Sequence, residues 1–125
     1  MNVLLVAIGG AIGAAARYLV GAWLSSLLGS DFPWGTFFIN VTGSFLIGVV
    51  LVLVQGGALP VGARHFVAVG ILGGYTTFST YSYETLGLVS DGNLVGALLN
   101  ALGQVVLSLV SVYLGVVAGR LIGGV

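Results

Sequence analysis

The chain has 125 residues, of which 58% are hydrophobic and only 5% are charged. Three arginines, two aspartates and one glutamate are too few charged groups to cover the surface of a soluble domain of this length. Cysteine and lysine are absent and the net charge is zero, so disulfides and thiolate metal sites are excluded and no basic patch indicates nucleic-acid binding. This composition predicts an all-α integral membrane protein with a single transmembrane domain, residues 1–125.

Four hydrophobic segments follow one another along the chain, separated by short turns rich in charge, proline and glycine. A helix needs about 20 apolar residues to cross the hydrocarbon core of a bilayer. The segments at about residues 3–28, 34–54, 64–88 and 94–122 therefore predict four transmembrane helices. Glycines four residues apart, as in Gly9-x-x-x-Gly13 and Gly115-x-x-x-Gly119, predict that these helices pack closely.

Charges near the ends of the segments determine the orientation only weakly. Four crossings place both termini on one side together with Arg64 and Arg120, whereas Arg17 lies toward the other side. Under the positive-inside rule this imbalance slightly favours cytoplasmic termini and permits insertion in both orientations. We expect the remaining ionisable groups of the turns and loops to be boundary or solvated residues, namely Asp31, Asp91 and His65.

Polar side chains form two stripes within the hydrophobic segments. The second segment carries one stripe at intervals of four residues, and the fourth carries another within an arc of roughly 80°. The two sets are Thr36, Asn40 and Ser44, and Asn100, Gln104, Ser108 and Ser111. Hydrogen bonding between helices would explain any single one of these residues. Two stripes in so small a protein favour a polar pathway, and neither contains an acid, a base or a histidine.

The third segment contains two adjacent glycines followed by a run of hydroxyl-bearing residues, Gly73 to Tyr83. Residues 73–77 lie roughly 14 to 20 Å from the start of the segment, near the middle of the bilayer. Two glycines before β-branched threonines are poor helix formers, so we expect a local break here. Broken helices at this depth persist where protein or a bound ion satisfies the freed backbone groups. A kink absorbed by neighbouring helices is the alternative.

Two charged residues have open interpretations. Arg17 lies about 22 Å along the first segment, where it could extend to the interface or attract anions. Glu84 follows the broken segment and could lie at the mouth of a pathway or be an ordinary interfacial acid.

Together these residues resemble three signatures of the Fluc-type fluoride channel family, also called the CrcB family. The matching runs are Gly9-Gly10-x-x-Gly13-x-x-x-Arg17-Tyr18, Gly35-Thr36-x-x-x-Asn40-x-x-Gly43-x-Phe45-x-x-Gly48 and Gly70-x-x-Gly73-Gly74-x-Thr76-Thr77-Phe78-Ser79-Thr80-Tyr81. The resemblance covers all four segments. It implies an antiparallel, dual-topology homodimer in the cell membrane, with two parallel pores for the passive export of toxic fluoride. It also implies a structural sodium ion, Na+, at the centre, held by backbone carbonyls of Gly73 and Thr76.

The resemblance further implies which side chains line the ion pathway. The rings of Phe78 and Tyr81 flank the path beside Asn40, and hydroxyls complete it. Glu84 matches an acidic position near the mouth. The family commonly has phenylalanine where Tyr81 stands, so the sequence leaves open whether this phenol donates to the ion. The hydroxyl-bearing candidates are Ser79, Thr80 and Ser108, and the polar stripes add Thr36, Gln104 and Ser111.

This set of side chains suits the chemistry of fluoride. The ion is small and strongly hydrated, so a pore must replace its water shell with hydrogen-bond donors. Hydroxyls and amides donate without a fixed charge that would trap the ion, and the edges of aromatic rings are electropositive. No general base or activated nucleophile is apparent, and we expect no enzymatic activity.

Two other functions compete with this prediction. A small four-helix, proton-coupled multidrug exporter needs an ionisable carboxylate deep in the first segment, where the sequence has only Arg17. A structural membrane subunit would account for the glycines but not for the hydroxyl-rich break.

Overall fold

The computed structural model describes residues 1–124, and every regular element in that range is helical. Helix α1 spans Asn2–Leu28, α2 spans Trp34–Gln55, α3 covers residues 61–75, α4 spans Phe78–Ser90 and α5 spans Leu94–Gly123. The four hydrophobic segments are thus helices, and α3 and α4 are the two halves of the third. Predicted and observed ends agree within one residue, except that the third segment begins at Val61, three residues early, and ends at Ser90, two residues late.

Three of these helices, α1, α2 and α5, are long and apolar enough to cross a membrane. Their outer faces expose large apolar side chains, for example Leu98, Leu102 and Leu109, each more than 60% exposed. In water such a surface would cause aggregation, whereas lipid solvates it. The chain is therefore a membrane protein.

Helix α3 is irregular along most of its length. After one turn at Val61–Ala63, the π-helical stretch Arg64–Leu72 runs into the short α-helical turn Gly73–Tyr75. π-helical turns are rare and often lie near functional sites. His65 lies inside this stretch, so the expectation that it occupies a loop is wrong. Its Nδ1 is buried without a hydrogen-bond partner in the described chain.

The predicted break in the third segment is confirmed. Thr76 and Thr77 leave the helix with extended backbone angles, φ −81° and ψ 157° for Thr76 and φ −153° and ψ 121° for Thr77. Gly73 and Gly74 remain helical, contrary to the expectation that the glycines themselves would interrupt the helix. The β-branched threonines, which favour extended backbone, are the residues that depart from helical geometry.

Glycine allows the backbones of neighbouring helices to touch. A Cβ atom at Gly13 in α1 would collide with the Ile71 carbonyl oxygen of α3, and one at Gly115 in α5 would collide with the Phe45 carbonyl oxygen of α2. The predicted close packing at the Gly-x-x-x-Gly motifs is therefore confirmed. Helices α1 and α3 form one tight pair and α2 and α5 form the other, and the break lies where the two pairs meet.

Candidate functional site

Asn40 of α2 holds the broken backbone. Its Oδ1 accepts a hydrogen bond from the Thr77 N–H at 2.9 Å, and its Nδ2 donates to the Thr77 carbonyl at 3.0 Å. Buried backbone groups without partners are costly, and in a membrane no water is available to replace them. The Asn40 side chain thus satisfies both the backbone N–H and the carbonyl of Thr77, which have no partners within a helix. Gly43, one turn further along α2, makes room for the break, since a Cβ there would collide with the Thr76 methyl group.

Other side chains satisfy the groups on either side of the break. The Thr77 hydroxyl accepts from the Thr80 N–H at 3.2 Å and so caps the start of α4. Arg17 Nε donates to the Gly74 carbonyl at 3.2 Å, which ties α1 to the last turn of α3. The Tyr75 hydroxyl lies 3.0 Å from the Thr42 hydroxyl. Helices α1, α2 and α4 therefore all contribute to holding this segment.

A chain of amides continues from Asn40 into α5. Asn40 Nδ2 donates to Gln104 Oε1 at 2.8 Å, and Gln104 Nε2 donates to Asn100 Oδ1 at 2.8 Å. Asn100 Nδ2 donates to the Thr85 hydroxyl at 2.9 Å, which in turn donates to the Tyr81 carbonyl at 2.8 Å. Asn100 is fully buried and Gln104 is 3% exposed, so this is an internal network. It joins the polar stripes of α2 and α5 to the inner face of α4.

A cleft of about 280 Å³ opens beside this network, and we call it the central cleft. Its lining contains amides, hydroxyls, aromatic rings and aliphatic side chains but no ionisable acid or base other than a phenol: Asn40, Gly43, Ser44, Ile47, Leu72, Thr76, Thr77, Phe78, Tyr81, Gln104, Val105 and Ser108. The rings of Phe78 and Tyr81 are tilted by 44° with centroids 5.4 Å apart. The Tyr81 hydroxyl donates to the Ala101 carbonyl at 2.7 Å. Its hydrogen is therefore directed to α5 and not to the cleft.

A second cavity of about 470 Å³, the outer cavity, shares Thr77 with the central cleft. It is lined by four charged side chains, Arg17, Asp31, Glu84 and Asp91, and by hydroxyls that include Thr36 and Thr80. One carboxylate oxygen of Glu84 is buried without a protein partner in the described range. An unpaired carboxylate oxygen at a cavity wall suits a hydrated space, because water can supply the missing hydrogen bond.

Comparison with known proteins identifies the family. Residues 4–116 match the family described as CrcB-like protein, Camphor Resistance (CrcB). The chain belongs to the CrcB family. A relative from Thermus thermophilus, named fluoride-specific ion channel FluC, is 53% identical over 96% of this chain and 95% of its own length. Relatives of the same name from Nitrobacter winogradskyi and Magnetococcus marinus are 50% and 47% identical, over 96% and 98% of this chain and 96% and 100% of their own lengths.

Most of the residues selected from the sequence of this CrcB-family chain line one of the two cavities. Asn40, Thr76, Phe78, Tyr81, Gln104 and Ser108 line the central cleft, whereas Arg17, Thr36, Thr80 and Glu84 line the outer cavity. Three others line neither. Ser111 donates to the Val41 carbonyl at 2.7 Å, Ser79 is exposed with its hydroxyl 3.3 Å from that of Thr77, and Gly73 is exposed on the surface.

Sequence reasoning missed several residues of the network. Asn100 belongs to the predicted stripe but was not selected as a site residue, although its spacing of four from Gln104 places the two amides in contact. Thr85 was missed entirely, because a threonine four residues after Tyr81 looks like any helical position. Thr42 and Tyr75, a pair outside this network, were also missed. Only the tertiary structure reveals that their hydroxyls meet.

Proposed function

We propose that this chain is a subunit of a fluoride-selective channel that lets toxic fluoride leave the cell passively across the cell membrane. The observation that carries the proposal is its similarity, at 53% identity over 96% of its length, to a fluoride-specific ion channel. The architecture is compatible with that role, because an uncharged polar cleft lies beside a broken helix in an otherwise apolar protein.

The central cleft offers what a partly dehydrated anion requires. Ser108 brings a hydroxyl, Gln104 brings an amide, and Phe78 and Tyr81 bring ring edges, whereas the Thr76 hydroxyl donates to the Leu72 carbonyl at 3.0 Å. None of these groups carries a fixed positive charge. Binding is then strong enough to replace part of the hydration shell and weak enough for the ion to leave. The outer cavity, with its charged lining, is the hydrated vestibule of this pathway.

We infer that two copies pair to form the channel. Phe78 is 77% exposed in the single chain although it borders a polar cleft, and so the cleft lacks a wall on that side. A second copy placed against this surface would close the cleft and cover the ring. The three arginines are distributed almost evenly between the two sides, which favours insertion in both orientations and antiparallel pairing. Such a dimer has two equivalent pores.

A sodium ion at the centre of this dimer is compatible with the hydrogen bonds around the break. In a continuous helix the Gly73 carbonyl would accept from the Thr77 N–H, which here donates to Asn40. The Thr76 carbonyl would accept from the Thr80 N–H, which here donates to the Thr77 hydroxyl. Both carbonyls expected to bind sodium have thus lost their helical donors. Carbonyl oxygens suit a hard cation of low charge, and Gly73 lies on the surface that a partner could reach.

Ion flux through liposomes that contain only this chain tests the proposal. We expect fluoride efflux that is much faster than in protein-free liposomes and that needs no proton gradient, together with little chloride efflux. A proton-coupled exporter would require the gradient, and a structural subunit would give no flux. Either of those results would contradict the proposed function.

A further inference from the structure

The direction of the amide chain is fixed by the backbone and not by the choice of side-chain rotamer. A peptide N–H can only donate and a peptide carbonyl can only accept. The Thr77 N–H therefore requires Asn40 Oδ1, and the Thr77 carbonyl requires Asn40 Nδ2. With Asn40 oriented in this way, the atom of Gln104 that faces Nδ2 must be Oε1.

The same logic extends to the far end of the chain. Because Gln104 turns its oxygen toward Asn40, its Nε2 faces Asn100 Oδ1, and Asn100 must then donate to the Thr85 hydroxyl. That hydroxyl has its own hydrogen left for the Tyr81 carbonyl, which is again a pure acceptor. The Thr77 N–H at one end of the chain of amides and the Tyr81 carbonyl at the other end therefore impose the same donor-to-acceptor direction. Reversing Asn40 would set like groups against each other at three contacts and reversing Gln104 at two, and reversing Asn100 would set its Nδ2 against Gln104 Nε2.

This direction determines which amide can serve an anion. Asn40 has two amide hydrogens, and the Thr77 carbonyl and Gln104 Oε1 accept them both. Gln104 also has two, of which Asn100 accepts one. Within residues 1–124 the other Gln104 hydrogen meets no acceptor, and Gln104 lines the central cleft.

We propose that Gln104 donates the amide hydrogen that binds the anion in the central cleft, and that Asn40 is a positioning residue that holds the break. This proposal rests on the proposed fluoride conduction and specifies its donor. Asn40 keeps Thr77 extended and Gln104 turned, and its own hydrogens stay on protein acceptors while the ion passes. Asn100 and Thr85 prevent the Gln104 amide from rotating. The arrangement costs no reorganisation when an ion arrives, because the donor is already oriented.

Nuclear magnetic resonance on the full chain in detergent micelles tests this proposal without altering the site. The sequence has two glutamines, Gln55 and Gln104, so selective 15N labelling of glutamine gives two pairs of side-chain amide signals. On titration with sodium fluoride we expect one Gln104 amide proton to move downfield while the exposed Gln55 signals stay fixed. Sodium chloride should move neither pair. A second sample labelled at asparagine reports whether the Asn40 signals stay in place.

Flux measurements separate failure of this proposal from failure of the proposed function. Gln104→Met keeps the length of the side chain but also removes the partners of Asn40 Nδ2 and Asn100 Oδ1, so fluoride flux should fall at least roughly tenfold, the effect of losing one hydrogen bond to a charged group. Gln55→Met, the matched control, should conduct like the parent. If the parent conducts fluoride while the Asn40 signals move and the Gln104 signals do not, the donor assignment is overturned and the channel function stands. The assignment is equally overturned if neither set of signals moves in a conducting parent. If the parent does not conduct, both proposals are wrong.

Discussion

The central cleft and the outer cavity share Thr77 but differ in their chemistry. The cleft has no ionisable acid or base other than the phenol of Tyr81, and its amides are hydrogen-bonded to one another. The outer cavity has one arginine and three acids, one with an unpaired buried oxygen. Fixed charges are tolerable where water screens them, whereas a dry passage must stabilise an ion with neutral dipoles. On the proposed pathway, an ion would therefore lose its water at the broken helix.

Replacing Phe78 should have the largest effect on conduction. Phe78→Ile keeps an apolar side chain but removes the electropositive ring edge beside the cleft, so fluoride flux from liposomes should fall severely. The protein should still assemble, since repacking costs about 1 kcal/mol. Phe38→Ile is the matched control, because Phe38 lines a separate apolar cavity on the other side of α2. If Phe78→Ile conducts fluoride as fast as the parent protein, the Phe78 ring is not part of the pathway.

Replacing Asn40 should mainly destabilise the backbone at the break. Asn40→Leu leaves the Thr77 N–H, the Thr77 carbonyl and Gln104 Oε1 without partners, which should lower the free energy of unfolding by about 3 kcal/mol. Thermal unfolding in detergent measures this loss, and flux should fall with it. Asn2→Leu makes the same change at the exposed start of α1 and should leave stability unchanged. If Asn40→Leu is as stable as the parent protein, the hydrogen bonds from Asn40 are not needed to stabilise the break.

The membrane class and the four helical segments were predictable because apolar length and turn chemistry are local properties. The position of the break was predictable for the same reason, whereas its exact residues depended on Gly43, which admits the Thr76 methyl group from another helix. The structure places Asn40 and Gln104, one from each polar stripe, in one cleft. The sequence pattern did not reveal that the Ser111 hydroxyl donates to the Val41 carbonyl, or that Thr85 is the last side chain of the hydrogen-bond network. Those outcomes depend on helix rotation, which spacing alone does not determine.

Removing the Glu84 charge should have a modest effect that depends on salt. The outer cavity carries three acids and one arginine, and so its field opposes the arrival of an anion. Glu84→Gln should raise fluoride flux at low ionic strength by roughly twofold, as expected for one charge about 10 Å away in water. The gain should disappear at high ionic strength, because salt screens exposed charges. A change that persists in high salt would place Glu84 in a dry part of the pathway.

The smallest effect should follow Tyr81→Phe, although Tyr81 lies next to Phe78. The Tyr81 hydroxyl donates to the Ala101 carbonyl of α5, so the hydrogen that the substitution removes is not available to the cleft. The ring that lines the cleft remains, and flux should stay close to that of the parent. Loss of one hydrogen bond between membrane helices costs about 0.6 kcal/mol, which should appear as a slightly lower unfolding temperature. A fall in flux as large as that of Phe78→Ile would instead mean that the phenol leaves Ala101 and donates to the ion. Fluoride transport and thermal unfolding, measured on the same two variants, therefore decide whether the two rings act alike.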